Sequence, residues 1–266
     1  MRKYLIAAVA ALTALCFTAV ALAQSGATSD VKVAPKDAGT KAKPKPSKIT
    51  LNVKNGDVSQ TASQIVVFIA KNVKLSTKGL AKCDLAKLST QGTSGCSRAS
   101  IVGSGSADAR AGVSRNGVYF PNPGLLPFKV TPYAANAKNV SSNPELRGAQ
   151  LAFYLEQRNV DLSGKPTDVK QDGIKAIARG VVKRASGKYG SKLVITIPQV
   201  PAQQYPAGAY NGLEKLQAVL KKGKMITTIG CKARKHPFKT TITFVPNPSP
   251  PKQKTVTATD NAPCSP

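Results

Sequence analysis

Residues 239–245 read Lys-Thr-Thr-Ile-Thr-Phe-Val, with large apolar side chains at Ile242 and Phe244 and a threonine before each of them. β-Branched and aromatic residues suit the pleated surface of a strand. Their alternation with polar residues is typical of a strand that buries one face. The stretch therefore predicts a strand in a half-buried antiparallel sheet.

Similar short runs recur from Ile49 onward and are separated, every ~8 to 15 residues, by Gly, Pro, Asn or Ser. Residues 213–221 fit both a helical stripe and strand alternation, and their neighbours favour a strand. One short helix is expected at 83–88. The pattern predicts an all-β fold, a two-sheet, jelly-roll-like sandwich. The predicted strands are 49–53, 65–75, 101–110, 126–132, 150–155, 176–183, 192–198, 213–221, 225–231, 239–245 and 255–259.

The N-terminus has the layout of a cleavable secretory signal peptide over residues 1–23. Arg2 and Lys3 precede an apolar run that ends in Ala21-Leu22-Ala23, small residues of the kind that signal peptidase requires. An uncleaved anchor is the alternative, because ~20 apolar residues can just span a bilayer. We expect a secreted protein, extracellular or associated with the cell envelope.

Residues 24–48 consist mainly of Ala, Ser, Thr, Lys and Pro. This composition predicts a disordered linker ahead of a single β-sandwich domain at 49–266. Its lysines Lys41, Lys43, Lys45 and Lys48 are a candidate tether to a polyanion. A plain spacer is the alternative.

Four cysteines remain after the signal peptide: Cys83, Cys96, Cys231 and Cys264. An even number in an exported protein favours disulfides over metal ligation. Of the three possible connectivities we favour Cys83–Cys96 with Cys231–Cys264, because each closes a short loop. Zinc is the rival interpretation, but the chain lacks any CxxC spacing.

Charge dominates the composition: the chain has 39 Lys and Arg against 12 Asp and Glu, a net charge of +27. Such a field attracts polyanions, and outside a cell these include anionic wall polymers and anionic membrane surfaces. Nucleic acid is supported by charge alone, because aromatic residues make up only 5% of the chain and tryptophan is absent. A solvated surface that opposes aggregation is the alternative.

Residues 83–107 carry the motifs of a family resemblance. Cys83-Asp84-Leu85-Ala86-Lys87-Leu88 is followed by Cys96 and then by Ser100-Ile101-Val102-Gly103-Ser104-Gly105-Ser106-Ala107. This pattern resembles a group of uncharacterised secreted β-sandwich proteins of soil actinobacteria, whose later half adds a cysteine, Thr/Phe-rich strands and a final cysteine. The resemblance implies a disulfide-stapled sandwich and assigns no activity. The chain has a Pro-rich segment at 246–251 where the pattern has an Asp-Gly hairpin turn.

Residues suited to catalysis are sparse. The single histidine, His236, lies between Lys235 and Pro237, and its surroundings predict a solvated turn rather than a catalytic base. Glu145 and Glu156 are the least implausible carboxylate pair for glycoside hydrolysis, although Glu156 beside Arg158 favours a surface ion pair. We expect no cofactor and no metal.

Two aromatic-Pro-Gly segments are the best candidates for a shallow ligand surface, one with Tyr119 and Phe120 and the other with Tyr205 and Tyr210. Packed turns are the alternative. The sequence thus favours a non-catalytic secreted protein that binds anionic envelope polymers. The competing hypothesis, a carbohydrate-active hydrolase on a jelly-roll scaffold, rests on fold analogy alone.

Overall fold

The computed structural model describes most of the chain from Ala27 onward. The described residues are 27–55, 62–115, 118–138, 140, 143–158, 175–198, 209–231, 233–244 and 255–265, with backbone only for 110–125 and 209–212. The predicted signal peptide at 1–23 lies outside them.

A large sheet of eleven antiparallel strands, to which one short strand is added in parallel, dominates the fold and confirms the all-β, sandwich-like prediction. Its strands follow the order β1-β3-β12-β7-β8-β9-β10-β11-β4-β14-β15. Each segment predicted to be a strand contains one, including the ambiguous 213–221. The bounds are β1 Ala27–Ala34, β3 Lys48–Asn55, β4 Ala62–Ala70, β7 Gly103–Arg115, β8 Val118–Asn136, β9 Leu151–Gln157, β10 Lys175–Arg184, β11 Tyr189–Thr196, β12 Ala209–Leu220, β14 Lys235–Phe244 and β15 Thr255–Pro263.

Shorter elements complete the fold. A small antiparallel sheet has the order β2-β13-β5, and β6 pairs in parallel with β8. The bounds are β2 Lys45–Pro46, β5 Val73–Leu75, β6 Cys83–Asp84, β13 Ile226–Thr228, helix α1 Leu85–Gln91, and 3-10 turns at Gly92–Gly95, Arg98–Ser100 and Pro144–Leu146.

The core lies inside the curled sheet and follows strand alternation. In β3 and β4 every second side chain is buried, as in the row Ile65, Val67 and Ile69 of β4, each at most 3% exposed. Burying an aliphatic side chain contributes roughly 1.5–3 kcal/mol. The intervening side chains of β4, Val66 and Phe68, therefore lie on the outer surface.

The edges of the large sheet, β1 and β15, face one another and nearly close it. The backbone N–H of Val31 donates to the Asp260 carboxylate, and the Ser29 and Thr240 hydroxyls are 2.8 Å apart. Beyond β1, the backbone N–H of Ala38 donates to the Ser265 carbonyl at 3.0 Å. Pairing the edges in this way covers backbone groups that an open sheet would expose.

The segment predicted to be a disordered linker differs from that prediction. From Ala27 onward it is ordered: β1 pairs with β3 over Ala27–Ala34, and Val31 and Val33 are 1% and 4% exposed. Composition is a poor guide here because two alternating valines are enough to place a short strand beside β3. The sandwich therefore begins before residue 49.

The Gly-Ser run at the start of β7 serves close backbone packing. A Cβ on Gly103 would lie 2.0 Å from the Val219 carbonyl oxygen, and one on Gly105 would lie 2.3 Å from that of Gln217. Both carbonyls belong to the neighbouring strand β12. Only glycine permits this approach, which accounts for the motif without a ligand.

Helix α1 covers the outer face of β8 and β9. The Asp84 side chain caps it by accepting from the backbone N–H of Ala86 at 3.0 Å. Leu85 and Leu88, one turn apart, are fully buried against a cluster that includes Tyr133 and Tyr154. The short helix predicted at this place is confirmed.

Two disulfides join the cysteines in the favoured connectivity. Cys83–Cys96 joins β6, which precedes α1, to the end of the 3-10 turn that follows α1. Cys231–Cys264 joins the segment before β14 to the residue after β15. Their Cα atoms are 5.1 and 5.8 Å apart. Each bridge closes a short loop, which restricts the unfolded chain.

Candidate functional site

A row of lysine and phenylalanine side chains crosses the outer surface of four neighbouring strands. Lys183 of β10 pairs with Lys192 of β11, Lys192 pairs with Phe68 of β4, and Phe68 pairs with Lys239 of β14. Side chains at such positions point to the same side of a sheet. The row therefore places three lysines on one side of the sheet, with Lys192 and Lys239 next to the Phe68 ring.

A β-bulge adds Tyr189 to this surface. The register between β11 and β4 shifts between Tyr189 and Ser191, which changes the alternation at the start of β11. The rings of Tyr189 and Phe68 lie 5.5 Å apart, centroid to centroid, and are tilted by 52°. Bulges commonly redirect a side chain in this way. Tyr189 is only 9% exposed, so its ring lies at the base of this surface. We call the surface formed by Phe68, Lys183, Lys188, Lys192 and Lys239, together with the Tyr189 ring beneath them, the Phe68 face.

The two rings position the lysines. The Lys239 ammonium is 4.0 Å from the Phe68 centroid and 5.7 Å from that of Tyr189. Lys192 lies 5.6 Å from the Phe68 ring, and Lys188 lies 5.5 Å from the Tyr189 ring. Cation–π contacts at exposed positions contribute about 0.5–1 kcal/mol each. Since Lys239 covers Phe68, the rings support ammonium groups rather than offer a bare stacking platform.

The four strands of the Phe68 face carry only basic charges, although Glu156 of the neighbouring strand β9 is a cross-strand neighbour of Lys175 at the start of β10. Strands β10, β11, β4 and β14 contain no Asp or Glu. Lys183 and Lys192 are direct cross-strand neighbours, an arrangement that is destabilising for like charges. A bound anion would relieve this repulsion. The basic residues of the four strands are Lys175, Arg179, Lys183, Arg184, Lys192, Lys235 and Lys239.

The predicted aromatic ligand surface falls largely outside the described side chains. Tyr119 and Phe120 lie on β8, and Tyr210 lies on β12, so these are strands and not the loops we expected. Both strands flank β7: Val113 pairs with Phe120, and its neighbour Gly112 pairs with Tyr210. The backbone thus brings three of the residues together. Their side chains, and the whole of Tyr205, lie outside the described part of the chain.

The predicted tether lysines belong to an ordered segment that packs against the sandwich. Lys45 lies in β2 and forms an ion pair with Asp37. Lys48 begins β3 and is exposed, as are Lys41 and Lys43. The segment is held to β13 by the Ser47 N–H, which donates to the Ile226 carbonyl at 2.9 Å. These lysines are therefore part of the folded surface.

His236 is buried, so the prediction of a solvated turn histidine is wrong. It lies on the inner side of β14, 1% exposed, and its Nδ1 has no hydrogen-bond partner among the described residues. Burial lowers the pKa of the imidazole below its ordinary value of 6.5, which favours the neutral form. The alternation of β14 places it in the core row with Phe238.

The structure gives the carboxylate pair little support as a hydrolytic site. Glu145 lies in the turn Pro144–Leu146, and Glu156 lies on β9 with Lys129 and Lys175 as its cross-strand neighbours. Opposite charges at such cross-strand positions suit a structural role for Glu156 in the sheet. Among the described residues, no group of three or more His, Cys, Asp or Glu could hold a metal ion.

The cavity that the described residues enclose between the layers is too small for a ligand. An enclosed cavity of about 20 Å³ lies between the layers and is lined only by apolar side chains such as Ile49, Val67 and Phe153. Ligand sites are usually at least ten times larger, roughly 300–1,000 Å³. A ligand would therefore bind on the outer surface.

Comparisons with known proteins do not assign the chain to a family. No protein-family model matches it, and no curated protein matches it either. Within the described residues, no helix combines the length and apolar character needed to cross a membrane. The Phe68 face could not be recognised in the sequence, because Ile65-Val66-Val67-Phe68-Ile69 is apolar on both faces of the strand and gives no sign of which face is exposed.

Proposed function

We propose that this is a non-catalytic protein of the cell exterior that binds anionic envelope polymers through the Phe68 face. The observation that carries the proposal is the row Lys183–Lys192–Phe68–Lys239, in which ammonium groups are gathered on strands that contain no acidic residue. A second cross-strand lysine pair, Lys54–Lys215, differs because Lys215 also has Asp108 as a cross-strand neighbour.

A polymer fits this surface better than a small anion does. Each exposed ion pair contributes only ~0.2–1 kcal/mol. Several such contacts made at once by a chain with repeated negative charges give useful affinity, because the second and later contacts are intramolecular. Binding of this kind weakens as salt rises, since the Debye length falls from about 10 Å at 0.1 M to about 3 Å at 1 M.

Export supports the same proposal. The signal-like N-terminus predicts export, and the two disulfides are typical of an oxidising compartment. In that setting the accessible polyanions are wall polymers, which the basic surface would meet directly. Anionic membrane and free nucleic acid are alternatives that the experiment below separates.

The test compares two triple variants with equal loss of charge. One variant carries Lys183→Gln, Lys192→Gln and Lys239→Gln. The control carries Lys54→Gln, Lys87→Gln and Lys215→Gln, at three exposed positions. Lys54 and Lys215 are themselves cross-strand neighbours, so the control also contains a lysine pair. Binding to labelled dextran sulfate, purified anionic wall polymer and labelled DNA is measured by fluorescence anisotropy across a salt series, with uncharged dextran as the reference polymer. Binding to anionic vesicles is measured by co-sedimentation over the same salt series.

We expect the Phe68-face variant to bind both anionic polymers about tenfold more weakly than wild type at low salt, because tenfold corresponds to 1.4 kcal/mol shared among three contacts. The control should stay within about twofold. Equal weakening in both variants would show that net charge alone binds the polymer. Preference for anionic vesicles or for DNA over wall polymer would contradict the envelope-polymer assignment.

A further inference from the structure

We propose a second anion-binding site, at the end of the sandwich, in a groove formed by the start of β3 and the turn after β12. The inference rests on the proposed function, since it assigns a second contact for the same class of anionic polymer. We call it the Lys48 groove. Its lining residues are Ala34, Pro35, Pro46, Ser47, Lys48, Lys221, Lys222 and Gly223, around an open volume of about 470 Å³.

Lysines distant in sequence meet in this groove. Ile49 pairs with Leu220 in the register between β3 and β12, so Lys48 and Lys221 follow at adjoining strand ends. Neighbouring strands lie about 4.8 Å apart, which brings the backbones of these two lysines close together. Both are exposed, and like charges at such a distance repel each other.

The groove has no acidic lining residue. The two carboxylates within residues 27–55 are already engaged with other lysines: Asp30 lies 3.2 Å from the Lys32 ammonium, and Asp37 pairs with Lys45. No lining carboxylate therefore neutralises the three groove lysines, and their positive charge is available to attract an anion. Opposite charge in a concave site raises the local concentration of anions.

Backbone hydrogen bonds fix the walls before any ligand arrives. The Lys221 N–H donates to the Val102 carbonyl at 2.8 Å, and the Met225 N–H closes the turn by donating to the Lys222 carbonyl at 2.8 Å. On the other wall, the Ser47 hydroxyl lies 3.3 Å from that of Thr228. Only lysine side chains need to become ordered on binding, which limits the entropic cost.

The occupant we assign is a strand of anionic polymer, whose charged groups contact the lysines while its uncharged parts lie against Pro35 and Pro46. In the sheet, β3 and β12 are separated from β4 by β14, β15 and β1 on one side and by β7 to β11 on the other. The Lys48 groove and the Phe68 face are thus distinct parts of the surface. One molecule can hold two polymer strands and link them.

Stoichiometry tests the inference. Sucrose octasulfate is a compact, defined polyanion that can occupy each site separately, and isothermal titration calorimetry at low salt counts the molecules bound. The groove variant carries Lys48→Gln, Lys221→Gln and Lys222→Gln. Its matched control carries Lys54→Gln, Lys87→Gln and Lys215→Gln, three exposed positions outside both sites, and thermal unfolding checks that every variant is folded.

We expect wild type and the control to bind two molecules per chain, and the groove variant to bind one. The remaining site should change in affinity by less than about twofold, as distant sites act independently. Two molecules bound to the groove variant would overturn the second site and leave the proposed function standing. If wild type binds one molecule and the Phe68-face variant binds none, the second site is likewise overturned and the proposed function stands. If wild type binds no molecule, both the second site and the proposed function are overturned.

Discussion

Two outer surfaces of the same sheet differ in whether another element covers them. On β8 and β9 the outward side chains include Tyr133, Ala152 and Tyr154, all at most 3% exposed beneath helix α1 and the Cys83–Cys96 bridge. On β10, β11, β4 and β14 the outward row is Lys183–Lys192–Phe68–Lys239, with no element over it among the described residues. Covering lysines would require desolvating them, which is costly. The first surface is therefore part of the buried core, and the second is the surface to which we assign binding in our proposal.

Truncating a side chain on the covered surface should give the largest effect. Leu88→Ala removes a fully buried side chain of α1 and should lower the free energy of unfolding by about 2–5 kcal/mol. The matched change Val66→Ala, on the outer side of β4, should lower it by less than about 1 kcal/mol because that position is half-buried. Urea denaturation followed by circular dichroism measures both. Equal losses would mean that the Phe68 side of the sheet is also covered.

Acid should probe the inner side of β14, behind the Phe68 face. Burial lowers the pKa of His236 in the folded protein, whereas the unfolded imidazole titrates near 6.5. Below pH 6.5 the unfolded chain therefore binds more protons, and stability is lost as pH falls, by up to about 1.4 kcal/mol per pH unit until the folded pKa is reached.

Because the chain has one histidine, His236→Leu isolates this contribution. The variant should lose less stability than wild type between pH 7 and pH 5 in urea denaturation, and carboxylates should contribute equally to both proteins. Parallel stability profiles would contradict a buried, neutral His236.

The sequence predicted the framework well and the binding surface poorly. The cysteine pairing followed from loop length, and α1 followed from the spacing of Leu85 and Leu88. By contrast, β1 was missed because Val31 and Val33 are surrounded by residues typical of linkers. His236 was misplaced because Lys-His-Pro favours a turn locally, while its burial follows from the inward register of β14.

The Phe68 face was beyond sequence analysis for a related reason. Its residues come from four strands, and their meeting depends on the order of those strands in the sheet. The bulge that brings Tyr189 beside Phe68 has no local signal stronger than Gly190. Long-range register, rather than local propensity, assembles this site.

The smallest effect should be a gain in stability. Lys183→Gln relieves the repulsion of Lys192 and should raise the free energy of unfolding by about 0.2–1 kcal/mol at low salt. The gain should vanish at 1 M salt, where the charges are screened. Lys87→Gln on α1 serves as the control and should leave stability unchanged. A loss of stability in Lys183→Gln would remove the argument that the lysine row is maintained for binding.

Lysine footprinting tests the central claim most directly. The protein is acetylated briefly with and without dextran sulfate at moderate salt, and modification of each lysine is quantified by mass spectrometry. We predict that the polymer protects Lys183, Lys192 and Lys239 several-fold more strongly than Lys54 and Lys215. Uniform protection of all five lysines would contradict the assignment of polymer binding to the Phe68 face.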